Sequence, residues 1–238
     1  MSYNQPNHDP KYVEYQQLYE KKLNQLVDFN GPYKNESLGK FMVYETFRAV
    51  KKEDQGIIHG SYYQVNFNKE NPVDPANRPE WKTLIKEAND KNLWKNIYKN
   101  QPFGPYWTTT WFKVYLKIPK ELLKKYNEKR WVFQFDCQNE GLVIVEKKSK
   151  QQTVYLPVTA FSGNKERTDY ILNIDNFDAD FNHCFYIECG NNGMFGNGIG
   201  QIDPPVDNKW FHLQKFDLIV PDWEARNLYY EFKQCKDL

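Results

Sequence analysis

The chain has 238 residues, of which 40% are hydrophobic and 17% are aromatic, so it has the length and the apolar content for a substantial core. Its 32 Lys and Arg residues nearly balance its 31 Asp and Glu residues, and the net charge of +1 argues against a dedicated nucleic-acid-binding protein. No apolar run approaches the length needed to span a bilayer, which argues against an integral membrane protein.

Two further features bear on the cellular location. The first residues, MSYNQPNHDPKY, contain no basic segment followed by an apolar one, so no signal peptide is expected. The four cysteines are scattered without a CxxC pair, which is typical of reduced, buried thiols. We therefore expect a cytoplasmic protein, and delivery to a vacuole without a signal peptide is compatible with both features.

Residues 1–60 are predicted to form an N-terminal helix and an irregular arm. Between Lys11 and Phe29, apolar side chains recur at the three-to-four-residue spacing of a helix: Tyr12, Tyr15, Tyr19, Leu23 and Leu26. The pair Gly31-Pro32 ends this pattern. The signals from residue 33 to 60 are mixed and indicate at most one short strand.

Residues 61–220 carry the pattern of a β-sandwich. The segment WTTTWFKVYLKI alternates cleanly and places one set of residues on a single face: Thr110, Phe112, Val114, Leu116 and Ile118. Further strand candidates follow at short intervals, reading WVFQFD, GLVIV, TVYLPVT, TDYILNI, CFYIEC and WFHLQKFDLIV. No long helix separates them. The spacing predicts a mainly-β fold, an antiparallel sandwich of the jelly-roll or galactose-binding-like type, with an N-terminal helical arm and a C-terminal helix.

Residues 221–238 are predicted to form that helix. Asp222 follows Pro221 and suits an N-cap. The expected apolar side of the helix consists of Ala225, Leu228, Tyr229 and Phe232. The helix reaches Leu238 without a capping signal, which indicates a chain that has been cut short.

The glycine-rich segment CGNNGMFGNGIGQIDPP, from Cys189 to Pro205, raises the question of a phosphate-binding loop. It lacks the GxGxxG spacing, no Lys-Ser or Lys-Thr follows, and its two prolines prevent the helix whose N-terminus would hold a phosphate. We expect a structural or interdomain loop and no cofactor. Its anchors are predicted to be backbone hydrogen bonds from two asparagines and an apolar plug: Asn191, Asn192, Met194 and Phe195.

The sequence contains no recognisable catalytic or metal-binding motif. Cys184 and Cys189 are five residues apart on one predicted strand, so their side chains point to opposite faces and cannot share a metal or a disulfide. We expect each cysteine to be a core thiol. No nucleophile motif accompanies the histidines. A glycosidase pair among the strand-associated carboxylates is left open, those being Asp136, Glu140, Asp169 and Glu188.

Three tryptophans leave two interpretations open. Trp107, Trp111 and Trp131 fall out of phase with the aliphatic face of their strands, so they are either exposed platforms for sugar rings or a second core face covered by the N-terminal helix. We favour the second core. The candidate substrate-binding residues are Trp107, Trp111 and Glu140.

Five segments stand in collinear order along the chain: NQPFGPYWTTTWFKVYLKIP, FDCQNEGLVIV, VTAFSGNKERTDYIL, FYIECGNNGMFGNG and PPVDNKWFHLQKFDLIVPDWEARNLYYEF. Together they resemble the N-terminal region of the cytosolic or vacuolar α-mannosidases of glycoside hydrolase family 38, the fungal vacuolar enzymes above all. The resemblance covers nearly the whole chain. It implies a non-catalytic β-sandwich module whose partners are the catalytic domain of the parent enzyme, other copies in a homo-oligomer, and mannose-containing glycans.

The same resemblance implies that catalysis belongs elsewhere, and that the helix over residues 221–238 begins a linker toward the missing catalytic domain. In this family a separate domain supplies zinc, a carboxylate nucleophile and a second acid, and its hallmark is a His-x-Asp motif in a segment similar to HIDTAWLWP. None of the four histidines has Asp two positions later; the residues there are Pro10, Ser61, Phe185 and Gln214. We therefore expect no catalytic or metal residue in this chain and zinc only in the catalytic domain. The alternatives are a stand-alone carbohydrate-binding module and an oligomerisation element.

Overall fold

The structure is a computed structural model that describes residues 10–28, 37–65, 80–106, 108–126, 130–148, 153–162, 167–178, 180–191 and 209–237. Its α-helices are α1 (Pro10–Val27), α2 (Trp81–Asp90), α3 (Lys120–Lys125) and α4 (Trp223–Asp237). Its strands are β1 (Val43–Arg48), β2 (Ile58–Gln64), β3 (Lys95–Asn96), β4 (Pro102–Phe103), β5 (Thr108–Lys117), β6 (Val132–Asp136), β7 (Glu140–Lys148), β8 (Thr153–Phe161), β9 (Asp169–Ile171), β10 (Asn182–Asn191), β11 (Phe211–His212) and β12 (Lys215–Pro221).

The chain forms two compact units, one of residues 46–219 and one of residues 1–45 with 220–238. The first of these holds the sandwich. Its strands form a four-stranded sheet in the order β1-β12-β6-β9 and a six-stranded sheet in the order β3-β2-β5-β10-β7-β8. The described pairings are antiparallel, so the predicted mainly-β jelly roll is confirmed. The predicted start of the sandwich at residue 61 falls inside β2, and β1 precedes it.

The core lies between the inner faces of the two sheets and is aromatic. The alternation predicted for β5 is confirmed, because Phe112, Val114 and Leu116 are fully buried. Rings of the two sheets meet edge to face, with centroid distances of 5.1 Å for Phe112–Phe135 and also 5.1 Å for Phe133–Phe185. Each buried ring stabilises the fold by roughly 1.5–3 kcal/mol.

Close approach within the sandwich requires a glycine in β2. A Cβ atom added to Gly60 would lie 2.5 Å from Ile97 Cδ1 and 2.8 Å from Phe216 Cε1. Real Cβ atoms do not come that close to other atoms, so any side chain here would push Ile97 or Phe216 out of place. Gly60 therefore lets β2 pack tightly against these two apolar side chains.

The six-stranded sheet ends at β8 within the described part of the chain. The pairing of β8 with β7 shifts register between Val143 and Ile144, and Ile144 pairs with Pro157. On either side of that proline, Leu156 is 41% exposed and Val158 is 43% exposed. The last strand of this sheet is therefore irregular and partly apolar on its surface.

The second compact unit contains α1 and α4, which pack against each other. The helix predicted over Lys11–Phe29 is confirmed as α1, and buried Ser37 links its end to the next turn by donating to the Leu26 carbonyl (3.1 Å) and accepting from the Gly39 amide (3.2 Å). Asp222 Oδ1 caps α4 as predicted by accepting from the Glu224 and Ala225 amides, each at 3.1 Å.

The predicted apolar side of α4 needs one correction. Tyr229 is buried, whereas Leu228 is 42% exposed and therefore does not belong to the packed side. None of the helices in the described ranges is both long and apolar enough to cross a membrane.

Candidate functional site

A groove of about 590 Å³ opens on the outer face of the six-stranded sheet, near the end of β10. It is lined by side chains of β5, β7, β8 and β10 and of the segment after β8. Its polar and floor residues are Thr109, Glu140, Leu142, Ser162, Arg167, Glu188 and Gly190. Glu140, a candidate substrate-binding residue from the sequence, is thus placed in a concave site.

Strand register builds this groove from distant parts of the sequence. Gly190 of β10 stands directly between Thr109 of β5 and Glu140 of β7. Two residues earlier on the same face, Glu188 stands opposite Leu142. Gly190 has no side chain, whereas Thr109 and Glu140 on its two sides do. The sheet surface is therefore lowest at Gly190, which forms the floor of the groove.

The groove combines hydrogen-bonding groups of both kinds. The carboxylates of Glu140 and Glu188 are acceptors, the guanidinium of Arg167 is a donor, and the hydroxyl groups of Thr109 and Ser162 are both. Two hydrogen bonds to Ser162 hold Arg167 beside the groove: the Arg167 amide donates to Ser162 Oγ (3.2 Å), and the Arg167 carbonyl accepts from the Ser162 amide (3.0 Å). Such a set suits a neutral ligand that carries several hydroxyl groups.

Trp111 pairs with Glu188 in the strand register, but it does not line the groove and belongs to a second core. It is 1% exposed and stacks on Trp81 of α2 with ring centroids 6.2 Å apart. The cluster around it contains Ile85, Ile144 and Tyr186, and burial raises the pKa of the Tyr186 hydroxyl. A ring covered on this scale offers no face to a sugar, so the placement of Trp111 corrects its assignment as a candidate substrate-binding residue.

The helix that covers this second core is α2, where the sequence interpretation named the N-terminal helix. Trp81, Ile85 and Ala88 follow one another at helical spacing, and the last two are buried. This spacing of apolar residues is the sequence signal that could have identified α2 as the covering helix. Trp131 is also buried, at 4% exposure, and stacks on Phe47 at 6.1 Å; Trp107 lies outside the described residues.

The glycine-rich segment is described only at its start. Asn191 is the last residue of β10, is fully buried, and donates through Nδ2 to Thr108 Oγ1 (2.8 Å) and Thr110 Oγ1 (3.0 Å). It therefore bonds side chains of the neighbouring strand β5, which corrects the prediction that it bonds the loop backbone. The remaining predicted anchors lie outside the described residues: Asn192, Met194 and Phe195.

The cysteines divide among three environments. Cys184 and Cys189 point to opposite faces of β10, as predicted: Cys184 packs at the outer cluster around Trp111, and Cys189 is buried between the sheets. There its Sγ lies 3.6 Å from Sγ of Cys137, a pairing that the sequence spacing did not reveal. Cys235 on α4 is exposed, so the prediction of a core thiol at that position is wrong.

Asp136, Asp169 and His183, three further titratable side chains, have structural surroundings. Asp136 accepts from the Gln138 amide (3.0 Å) and Asp169 accepts from Gln134 Nε2 (2.7 Å), so both serve local structure. His183 is buried between aromatic rings, and burial lowers its pKa to about 4. Within the described ranges, His, Cys, Asp and Glu side chains nowhere gather in a group of three or more that would hold a metal ion.

Comparison with known proteins gives one consistent answer. A family model described as alpha-mannosidase, jelly roll domain, matches residues 68–219. The chain is 43% identical over 233 residues to Alpha-mannosidase of Saccharomyces cerevisiae, which is 97% of this chain and 20% of that protein. It is 30% identical over 146 residues to Alpha-mannosidase G of Dictyostelium discoideum (61% of this chain, 12% of that protein).

A third relative extends the range of organisms. The chain is 31% identical over 120 residues to Alpha-mannosidase 2C1 of Homo sapiens (50% of this chain, 10% of that protein). The chain thus spans a fifth or less of the length of each of these relatives. The matched residues cover most of the sandwich, and the resemblance seen in the sequence is confirmed. This chain belongs to the family of α-mannosidase jelly-roll domains.

Proposed function

We propose that this chain is a non-catalytic module of an α-mannosidase of glycoside hydrolase family 38, an enzyme that removes terminal α-mannose residues from free oligosaccharides or N-glycans. The family match over residues 68–219 carries the proposal, together with the small share of each relative that the chain spans. Its main partner is then the catalytic domain of that enzyme, within a homo-oligomer in the cytosol or the vacuole.

The chemistry of the described residues supports a division of labour. The family's zinc ion needs several His, Cys, Asp or Glu ligands, and the described part of the chain offers no such group. His183 does not fit the role, because it lies buried beside Phe177 and Phe185. In this proposal the zinc ion and the two catalytic carboxylates belong to the catalytic domain.

An activity assay tests this proposal. The purified chain, supplied with zinc, is incubated with an aryl α-mannoside, and the yeast relative serves as the positive control. We expect no turnover above that of buffer, because the chain holds no zinc site in its described residues. Turnover by the purified chain that a chelator abolishes would contradict the proposal.

A second candidate function is weak binding of mannose-containing glycans, and the groove over Gly190 favours it. Carboxylates that flank a shallow floor accept hydrogen bonds from neighbouring sugar hydroxyls, and Arg167 donates to ring or hydroxyl oxygens. Leu142, which is 37% exposed, supplies apolar surface for the C–H face of a sugar ring. In this second candidate function, Glu140 binds the sugar as predicted from the sequence, but no aromatic ring stacks on the sugar.

Titration with an α-linked manno-oligosaccharide, followed by NMR or calorimetry, tests the groove. We expect binding in the millimolar range and a loss of affinity of about tenfold or more in Glu140→Gln, because a hydrogen bond to a charged group is worth about 1.5–3 kcal/mol. Glu121→Gln is the matched control, since Glu121 is exposed on α3 and does not line the groove. Equal affinity of the two variants, or no binding by the parent chain, would contradict this function.

A further inference from the structure

Two thiols meet in the core where the sheets face each other. Cys137 follows β6 of the four-stranded sheet, and Cys189 lies near the end of β10 in the six-stranded sheet. Their Sγ atoms are 3.6 Å apart, and the residues are 1% and 0% exposed. The contact therefore joins the residue that follows β6 to β10 of the other sheet, and the two cysteines are 52 residues apart in sequence.

The surroundings leave room for both sulfurs. Gly141 of β7 pairs with Cys189, and a Cβ atom on Gly141 would lie 3.3 Å from Cys189 Sγ and 3.0 Å from Ile187 Cγ2. The absence of a side chain on Gly141 thus makes the space that the Cys189 thiol occupies.

The turn that carries Cys137 is held in place by hydrogen bonds on both sides. Gln138 has a positive φ of 63°, and its amide donates to Asp136 Oδ1 at 3.0 Å. Its side-chain oxygen accepts from the His212 amide at 2.8 Å. Cys137 Sγ itself is 3.5 Å from the Asn139 carbonyl. These contacts fix the turn in which Cys137 Sγ lies 3.6 Å from Cys189 Sγ.

We propose that Cys137 and Cys189 form a disulfide that links the two sheets when the chain folds in the presence of a small disulfide oxidant such as oxidised glutathione. The sulfurs must close from 3.6 Å to about 2.05 Å. Rotation about the Cα–Cβ bonds of the two residues has to close this gap.

The oxidation proceeds by thiol–disulfide exchange. One cysteine loses its proton to water, and its thiolate attacks a sulfur of oxidised glutathione, whose S–S bond breaks as one glutathione thiolate leaves. The second cysteine, deprotonated in turn, attacks the protein sulfur of this mixed disulfide and displaces the other glutathione thiolate. The two protein thiols are oxidised, one oxidised glutathione is reduced to two glutathione molecules, and these take up the two protons.

Burial determines when this exchange occurs. It raises the pKa of the Cys189 thiol, and a glutathione molecule cannot reach either sulfur in the closed sandwich. The bond therefore forms before the sheets close or when they open, and the reduced, folded chain is inert. Cys184 faces the outer cluster and cannot compete for Cys189.

Refolding under two redox conditions tests the proposal. The full chain with Cys235→Ser, which removes the exposed thiol, is denatured, reduced and refolded either in a glutathione redox buffer or with reductant. Free thiols are then alkylated and the peptides are identified by mass. Before alkylation, we expect the oxidised product to be lighter than the reduced product by two hydrogen atoms and to unfold about 5–15 °C higher. After alkylation in denaturant, its digest should contain linked peptides of residues 137 and 189.

Cys137→Ser in the same background is the control, and its unfolding temperature should not depend on the redox buffer. The comparison of oxidised and reduced Cys235→Ser protein stands on its own if this control fails to fold. Alkylation of both Cys137 and Cys189 after oxidative refolding would overturn the proposal. So would a glutathione adduct without the crosslink, or an oxidised product that melts below the reduced one.

Discussion

Replacing Trp111 by alanine is expected to lower the free energy of unfolding by about 3–5 kcal/mol, the range found when a large aromatic side chain is removed from a core. The indole is 1% exposed, stacks on Trp81 and contacts a cluster with Ile85 and Tyr186. Its removal leaves a cavity under α2 as well as losing the burial. Chemical denaturation monitored by circular dichroism gives the value.

Trp210→Ala provides the matched control, because Trp210 is 48% exposed and its loss should change the free energy of unfolding by no more than about 0.5 kcal/mol. Trp111→Phe should cost less than Trp111→Ala: it keeps most of the ring contact and removes an indole N–H that has no hydrogen-bond partner in the described structure. If Trp111→Ala were as stable as Trp210→Ala, the second core would be refuted.

Acidification from pH 7 to pH 4 is expected to reduce the free energy of unfolding by about 3 kcal/mol through His183 alone. The imidazole is 2% exposed and lies 4.9 Å from the Phe177 ring and 5.2 Å from the Phe185 ring, measured between centroids. Burial lowers its pKa from 6.5 to about 4, Lys147 adds to this decrease, and the Asn176 backbone partly offsets it.

The sign follows from the order of the two pKa values of His183. The unfolded chain binds a proton below pH 6.5, whereas the folded chain does so only near pH 4. The contribution is therefore complete above pH 6.5 and is lost as the pH falls from 6.5 to about 4. His183→Phe should abolish this part of the pH dependence, while His212→Gln, at an exposed position, should retain it. An unchanged pH profile in His183→Phe would show that the imidazole is not buried.

Local patterns in the sequence predict the elements of this fold well. The alternation in β5 identifies its buried face, because a strand side chain returns to the same face every second residue. Asp222 marks the start of α4 because its carboxylate accepts from the first free amides of the helix. Both signals act within a few residues, so the sequence displays them directly.

Local sequence patterns do not reveal contacts between segments that are distant in the chain. The tryptophan pattern shows that β5 has a second apolar face, but α2 covers it through Trp81, which is thirty residues from Trp111. The thiols of Cys137 and Cys189 meet only because β6 and β10 lie in facing sheets. Such partners depend on the strand order, which local spacing does not encode.

The residues of the groove are likewise only partly predictable from the sequence. Glu140 can be picked out beside a predicted strand. Its neighbours in the groove cannot, because Glu188 is brought to it by strand pairing and Arg167 by hydrogen bonds to Ser162. Gly190 belongs to a glycine-rich segment that suggests phosphate binding at first sight. Its place between Thr109 and Glu140 shows instead that a missing side chain shapes a surface.

The irregular edge of β8 has a consequence for how the domain behaves in a crowded cell. A flat terminal strand with apolar side chains such as Leu156 and Val158 would template strand pairing between molecules and lead to aggregation. Pro157 has no N–H to donate, and the register shift between Val143 and Ile144 interrupts the regular ladder. The protein can thus keep an apolar strip at the end of its larger sheet and still resist fibril-like assembly.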